Sequence, residues 1–134
     1  NMLDTGEIVV AVGGGGIPVV RESNGSLRGI EAVIDKDLAA ERLAEDINAE
    51  IFMILTDVEQ VMLNHGSANE VGIERMTADE AKNYLKEGQF GEGSMKPKVE
   101  AGISFVRIGG KTVITTLSKG LEALEGKAGT IIIP

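Results

Sequence analysis

The stretch IFMILTD, residues 51–57, places five apolar residues in a row before a threonine and an aspartate. A strand that is apolar on both faces is typical of a parallel sheet with helices covering both sides. The stretch EIVVAV, residues 7–12, has the same character and leads directly into Gly13 to Gly16. We therefore predict two buried strands, at 7–12 and 51–55, in a sheet covered by helices.

The rest of the chain alternates helical patterns with strand patterns. A hairpin is expected over 17–33, because Asn24-Gly25 is a strong turn signal between two apolar runs. The other expected elements are helices at 36–47, 77–87, 98–108 and 117–124, strands at 112–115 and 130–133, an extended piece at 58–63 and a polar loop at 64–73. This order predicts an α/β fold: a three-layer αβα sandwich with a mainly parallel sheet and a short β-hairpin, in one domain of residues 1–134.

Composition excludes several classes of function. The 134 residues carry a formal net charge of −8 and only 3% aromatic side chains, so neither a nucleic acid nor an anionic membrane is expected as a partner. With no cysteine, disulfides and thiolate metal sites are excluded, and a cytoplasmic location is expected. His65 is the only histidine, so a zinc site is not expected. The sequence shows neither a signal-peptide pattern nor a run of about 18 apolar residues.

Two lysines at predicted loop-to-helix boundaries stand out in this acidic chain. They are Lys36 within IDKD, residues 34–37, and Lys98 within GSMKPK, residues 93–98. A lysine in the first turn of a helix opposes the helix dipole unless an anion is bound there, and the free N–H groups of that turn suit phosphate. Both lysines are therefore predicted to hold polyphosphate. The alternatives are a capped surface helix at Lys36 and a solvated connector at Lys98.

Two further segments suit a ligand site. Gly13 to Gly16 would let several backbone N–H groups face an anion, although no third glycine stands where a dinucleotide-binding motif needs it. The alternative is a tight bend between a strand and the hairpin. Thr56 and Asp57 end a predicted strand, where nucleotide contacts, metal contacts and plain turns are all common. Because ligands of such sheets lie beyond the carboxyl ends of the strands, these segments and residues 115–116 should share one rim.

Five segments, taken together and in this order, resemble the carbamate kinase family. They are AVGGGGIPV (11–19), GIEAVIDKDLA (29–39), ILTDV (54–58), GSMKPKVEA (93–101) and LEGKAGT (124–130). The resemblance covers the carboxyl-terminal, nucleotide-binding half of that enzyme, and it implies an amino-acid kinase-like fold. The family's amino-terminal half, with its own glycine-rich phosphate loop and acceptor-side lysine, has no counterpart here. The chain is therefore interpreted as part of a larger enzyme and as inactive alone.

The resemblance also implies a reaction and a set of roles. The reaction is reversible phosphoryl transfer between ATP and carbamate, giving ADP and carbamoyl phosphate, with Mg²⁺. Lys36 would bind the transferring phosphate, Asp35 would orient Lys36 by charge pairing, and Lys98 would contact the terminal phosphates of the nucleotide. The residues expected beside the substrates are Thr56, Asp57 and Met95 for the nucleotide, with Gly14 and Gly15 on the carbamate side.

Several points remain open at this stage. No residue is assigned as a direct metal ligand, although Asp35 or Asp37 could reach magnesium through water. Met62 stands where the resemblance leads us to expect a tyrosine beside the adenine, and His65 where an aromatic residue is usual. A homodimer is implied by the resemblance alone. The alternatives are another acid kinase of the same superfamily and a non-catalytic nucleotide-binding or dimerisation module.

Overall fold

Eight strands and four helices make up the computed structural model, which describes residues 2–134. The strands are β1 Val19–Arg21, β2 Leu27–Gly29, β3 Ile51–Thr56, β4 Val61–Leu63, β5 Val71–Ile73, β6 Arg75–Thr77, β7 Lys111–Thr116 and β8 Thr130–Ile133. The helices are α1 Lys36–Asp46, α2 Ala78–Lys86, α3 Met95–Val106 and α4 Gly120–Leu124, with 3₁₀ turns at Leu3–Thr5 and Leu117–Lys119.

Four of the strands form the central sheet, in the order β3-β7-β8-β6. The pairs β3–β7 and β6–β8 are parallel, and only β7–β8 is antiparallel. Two hairpins, β1–β2 and β4–β5, lie outside this sheet. The predicted α/β class, the mainly parallel sheet and the hairpin at Asn24-Gly25 are confirmed. Because Thr56 pairs with Thr116 in parallel register, the carboxyl ends of β3 and β7 share one rim, as predicted.

Helices cover both faces of the sheet, which gives the predicted three layers. On one face, Ile54, Ile114 and Ile132 belong to a buried cluster with Phe105 of α3. On the other face, Val113 and Ile131 pack with Ala123 of α4. Gly102 brings α3 close to the sheet, since a Cβ there would lie 2.8 Å from Ile132 Cδ1. Successive side chains of a strand therefore point to opposite faces of the sheet and pack against different helical layers.

Local signals fix two of the helix starts. Asp35 caps α1, accepting hydrogen bonds from the backbone N–H groups of Asp37 at 2.7 Å and Leu38 at 3.4 Å. Thr77 and Glu80 form the predicted capping box at α2. Such caps each stabilise a helix by about 1 kcal/mol. The predicted start of α3 at Lys98 is wrong: the helix begins at Met95, because a proline is tolerated within the first turn.

The predicted strand at 7–12 is also wrong. These residues have no regular structure, and Ile8 and Val10 are 98% and 97% exposed. Val12 has a φ of 71°, which is outside the extended region. The apolar composition was a sound strand signal, but a strand needs a neighbour to satisfy its backbone N–H and C=O groups. No strand in the described residues pairs with this stretch.

Two smaller predictions also fail. The predicted apolar face of α1 was Leu38, Ala39, Leu43, Ala44 and Ile47. Of these, Ala44 is buried, but Leu38 and Ile47 are 40% and 43% exposed, and the other buried residues of this helix are Asp37 and Glu41. The polar loop predicted at 64–73 ends before Val71, where β5 begins. Neither β5 nor β6 was predicted, because each strand is only three residues long. In the described part of the chain, no helix is long and apolar enough to cross a membrane.

Candidate functional site

Two lysines from different helices meet on one carboxylate. Lys98 Nζ lies 3.0 Å from Asp37 Oδ2, and Lys36 Nζ lies 3.9 Å from the same oxygen. The Lys98 and Asp37 side chains are only 11% and 10% exposed, whereas that of Lys36 is 59% exposed. Two ammonium groups that are 62 positions apart in the sequence therefore converge on a single oxygen atom.

Helix packing produces this convergence. Asp37 is the second residue of α1 and Lys98 the fourth residue of α3, and the two helices pack against each other. Both lysines therefore stand in the first turn of a helix, where the N-terminal dipole favours an anion. Asp35 uses its side chain on the backbone of α1 instead. The expected charge pairing of Asp35 with Lys36 is not observed: the ion pair that Lys36 makes among the described residues is with Asp37.

The charges at this point are arranged to hold lysine side chains in place. At about 4 Å and an effective dielectric constant near 20, one ion pair is worth on the order of 4 kcal/mol before desolvation. Asp37 and Lys98 are buried together, so removing the Asp37 charge would leave Lys98 unpaired in a poorly solvated place, whereas removing Lys98 would leave Asp37 only its longer contact with Lys36. Lys36 is more exposed and more distant, so its ammonium group remains accessible to an anion.

A cavity of about 350 Å³ opens beside Lys98. All four predicted nucleotide-binding residues line it, namely Thr56, Asp57, Met95 and Lys98. Thr56 Oγ1 donates a hydrogen bond to Asp57 Oδ1 at 3.0 Å, at the carboxyl end of β3. Lys36 is not among the lining residues and is linked to the cavity through Asp37 and Lys98. The structure thus gathers side chains from β3, the loop before α3, and α3 itself.

The glycine-rich loop, Gly13 to Gly16, lies near the start of α1. A Cβ on Gly15 would collide with the Ile34 carbonyl oxygen and lie 3.9 Å from the Lys36 backbone nitrogen. Gly14 has no atom within 4 Å of the place where its Cβ would stand, so its backbone faces open space. Neither glycine lines the cavity. The loop therefore lies at the start of α1, beside Lys36, rather than at the end of a buried strand.

Sequence reasoning missed the central role of Asp37 in this arrangement. Asp37, Glu41 and Ala44 are spaced i, i+4 and i+7, which places them on one face of α1, and all three are buried. That spacing was a usable signal for an inward-facing carboxylate. Met62 and His65, which the resemblance had connected with the adenine, also line the cavity. Further residues at the cavity wall were not predicted as site residues, and among them are Gln60, Gln89, Phe90 and Ser94. Most of them lie in loops that come together only after folding, so no local pattern in the sequence marks them.

Known proteins are similar in sequence to nearly the whole of this chain. The profile of the amino acid kinase family matches residues 1–116. The carbamate kinase of Thermococcus kodakarensis is 54% identical over 134 residues, covering 99% of this chain and 42% of that protein. The carbamate kinase of Thermoplasma volcanium is 55% identical over 135 residues, covering 100% of this chain and 44% of that protein.

A solved structure agrees with these relatives. The carbamate kinase from Giardia lamblia bound to AMP-PNP superposes with a TM-score of 0.92 at 43% identity, over 98% of this chain and 46% of that one. The present chain therefore spans less than half the length of the proteins it matches.

Proposed function

The chain belongs to the amino acid kinase family, and we propose that it supplies the carboxyl-terminal, nucleotide-binding half of a carbamate kinase. The intact enzyme would transfer a phosphoryl group reversibly between ATP and carbamate, giving ADP and carbamoyl phosphate. The observation that carries this proposal is the convergence of Lys36 and Lys98 on Asp37 Oδ2 beside a cavity. The likeness to a kinase solved with an ATP analogue supports it.

The two lysines have separate tasks in the proposed mechanism. Lys98 lines the cavity and would contact the terminal phosphates of the nucleotide. Lys36, accessible at the start of α1, would bind the phosphoryl group in transfer. Phosphoryl transfer needs alignment and positive charge on the oxygens that gain negative charge, and little covalent help from the protein. Asp37 holds both ammonium groups in position, and Asp35 fixes the helix turn that carries Lys36.

The cavity also offers oxygen donors that suit Mg²⁺. Asp57 is the one acidic residue that lines it within residues 2–134, and the Thr56 hydroxyl is adjacent. Mg²⁺ is commonly held by one or two carboxylates, with phosphate oxygens and waters as the other ligands, so this donor set fits. When bound, the ion would neutralise charge on the nucleotide phosphates.

The acceptor side is incomplete in this chain. Gly15 lies near the backbone of Lys36, and Gly14 and Gly15 would face carbamate, but the chain spans less than half of its relatives. We therefore expect residues 1–134 alone to bind nucleotide weakly and to transfer no phosphate. The remaining half would complete the acceptor site, and the intact enzyme would be a homodimer.

A comparison of acceptors tests the proposal. In the intact protein that contains these residues, ADP formation from ATP and Mg²⁺ should depend on carbamate. It should not depend on aspartate, N-acetylglutamate or a nucleoside monophosphate. Preference for one of those acceptors would identify a different acid kinase. Calorimetric binding of ATP without turnover of any acceptor would identify a non-catalytic nucleotide-binding module.

A further inference from the structure

A buried threonine hydroxyl joins the β4–β5 hairpin to the central sheet. Thr130 is the first residue of β8 and is completely buried. Its Oγ1 accepts a hydrogen bond of 2.8 Å from the Val61 backbone N–H and donates one to the Ile73 carbonyl oxygen. Val61 and Ile73 stand directly opposite each other in the hairpin. One hydroxyl group therefore bridges both strands at the end of their ladder.

The residues around this junction are packed closely. Gly129 has a φ of 77°, and a Cβ there would lie 2.8 Å from the Ile114 carbonyl oxygen, so the position requires glycine. The Gly129 carbonyl oxygen accepts a hydrogen bond of 3.4 Å from Gln60 Nε2. On its other side, the Gln60 side chain lies so near Gly72 that a Cβ there would collide with Gln60 Oε1. The segment LEGKAGT, residues 124–130, thus ends in a junction to which the proposed mechanism assigns no task.

The hairpin depends on such attachments for its position. Each of its strands has three residues and, within residues 2–134, pairs only with the other. A two-stranded hairpin alone is at best marginally stable in water. Val61 is completely buried, so water cannot replace the Thr130 hydroxyl as the acceptor for its N–H group. Loss of that hydroxyl would therefore loosen the hairpin from the end of β8.

The hairpin and the residue before it form one wall of the cavity, through Gln60, Met62 and His65. Thr130 does not line the cavity itself. We propose that Thr130 is a positioning residue for nucleotide binding, its hydroxyl group holding the β4–β5 hairpin in place as that wall. The inference rests on the proposed function, because it assumes that the cavity takes a nucleotide. It goes further by assigning a task to a residue that touches no substrate.

The wall carries none of the groups assigned to the phosphates. Its displacement should therefore weaken the binding of ground state and transition state alike, which raises KM and leaves kcat nearly unchanged. A residue that only stabilises the fold would lower the melting temperature without this change in KM. The two roles of Thr130 can thus be told apart by measurement.

Thr130→Val, in the intact protein that contains this chain, keeps the shape of the side chain and removes the hydroxyl. Calorimetry should show a Kd for ADP about tenfold higher, the scale of one buried polar group left without its partner. KM for ATP should rise by about the same factor, with kcat changed by less than about twofold. Hydrogen exchange of the amides of residues 61–73 should become faster, which tests the junction without any nucleotide.

Two variants at the same position relate the effect to the hydroxyl. Thr130→Ser keeps that group and should bind ADP within about twofold of the unmodified protein. Thr130→Cys offers a weaker donor and acceptor and should give an intermediate Kd, which provides the test if Thr130→Val does not fold.

Thr112→Val is the matched control. Thr112 is also completely buried in the sheet, but its hydroxyl donates to the Gly102 carbonyl oxygen of α3 at 3.2 Å. This variant should lose thermal stability to a similar degree, with the Kd for ADP and the exchange of residues 61–73 unchanged.

The outcomes separate this inference from the proposed function. A Kd that stays constant in Thr130→Val, or rises equally in Thr130→Ser or in Thr112→Val, would overturn the positioning role while leaving carbamate-dependent turnover untouched. The expected changes in a protein that phosphorylates no carbamate would support the positioning role and reject the proposed reaction. An unmodified protein that binds no ADP would reject both.

Discussion

Apolar side chains are exposed in one region of the molecule and buried in the other. The two regions are the amino-terminal segment, residues 2–34, and the body, residues 35–134. None of the segment's residues is buried, and Ile8, Val10 and Val33 are each at least 97% exposed. In the body, Val113 and Ile114 are completely buried in the sheet. The difference teaches that apolar runs form a core only where neighbouring strands and helices cover them. Under the proposed function, the segment's exposed face is a surface that the other half of a carbamate kinase would cover.

The two regions meet at the candidate site. Gly15 of the segment lies so near the start of α1 that a Cβ on it would be 3.9 Å from the Lys36 backbone nitrogen. Asp37 and Lys98 belong entirely to the body and are buried there. The site therefore has two parts. Asp37 and Lys98 are fixed by the packing of α1 on α3, whereas the surroundings of Lys36 depend on the conformation of the segment. Substitutions in the two parts test this division.

The largest effect is expected from Asp37→Asn, which removes the carboxylate that both lysines share. Breaking a buried ion pair on one side leaves an unpaired charge, so the free energy of unfolding should fall by about 3–5 kcal/mol. Urea denaturation measures this loss. Asp79→Asn is the control, since its ion pair with Lys82 is exposed, and should change stability far less than Asp37→Asn does. Equal losses in the two variants would mean that the body does not hold the site as described.

Lys36→Ala and Lys98→Ala should each lower kcat/KM of the intact enzyme by about 10²–10³, the scale for one lost group that stabilises a transition state. Lys36→Ala, at the boundary, should leave stability nearly unchanged, whereas Lys98→Ala should also destabilise the body. Lys96→Ala is a suitable control, because Lys96 pairs with Glu92 and does not line the cavity. Losses below about threefold at both Lys36 and Lys98 would contradict the assigned roles.

A pair of isoleucine substitutions tests the division between segment and body directly. Ile114→Ala opens a cavity in a fully buried position and should destabilise residues 1–134 by about 2–5 kcal/mol. Ile8→Ala should change the stability of the same chain by less than about 0.5 kcal/mol, because Ile8 is almost fully exposed. Thermal unfolding of both variants measures these two changes in stability. A large loss from Ile8→Ala would show that the segment is packed against the body.

The smallest effect concerns Glu41, which lies on the buried face of α1. Burial, reinforced by the negative charge of Glu45, raises the pKa of Glu41 above its ordinary 4.5. A raised folded-state pKa means that the protonated form is favoured, so Glu41 lowers stability progressively as the pH rises above 4.5. Glu41→Gln should therefore gain stability relative to the unmodified chain between pH 4 and pH 7, by less than about 1 kcal/mol. A difference in unfolding free energy that stays constant across this range would contradict the burial effect.

Local signals in the sequence predicted much of the body. The capping residues Asp35 and Thr77 and the apolar run of β3 each depend on neighbours within a few positions. Both caps and the strand were confirmed, but the expected burial of β3 on both faces was wrong, because this strand lies at the edge of the sheet. The strand predicted at 7–12 failed because pairing depends on a partner strand that no local pattern reveals. Asp37 was missed for a related reason, since its importance appears only when α1 packs on α3 and brings Lys98 to it.

The position of β3 at the edge of the sheet affects how this chain behaves at high concentration. One side of β3 has no neighbouring strand within residues 2–134, and its Ile51 and Leu55 are 38% and 45% exposed. Unpaired edges of this kind favour self-association by adding strands from other molecules. The net charge of −8 opposes such contacts by mutual repulsion, and dissolved salt weakens that repulsion. Light scattering from residues 1–134 should therefore increase with ionic strength, and less so for a Leu55→Lys variant.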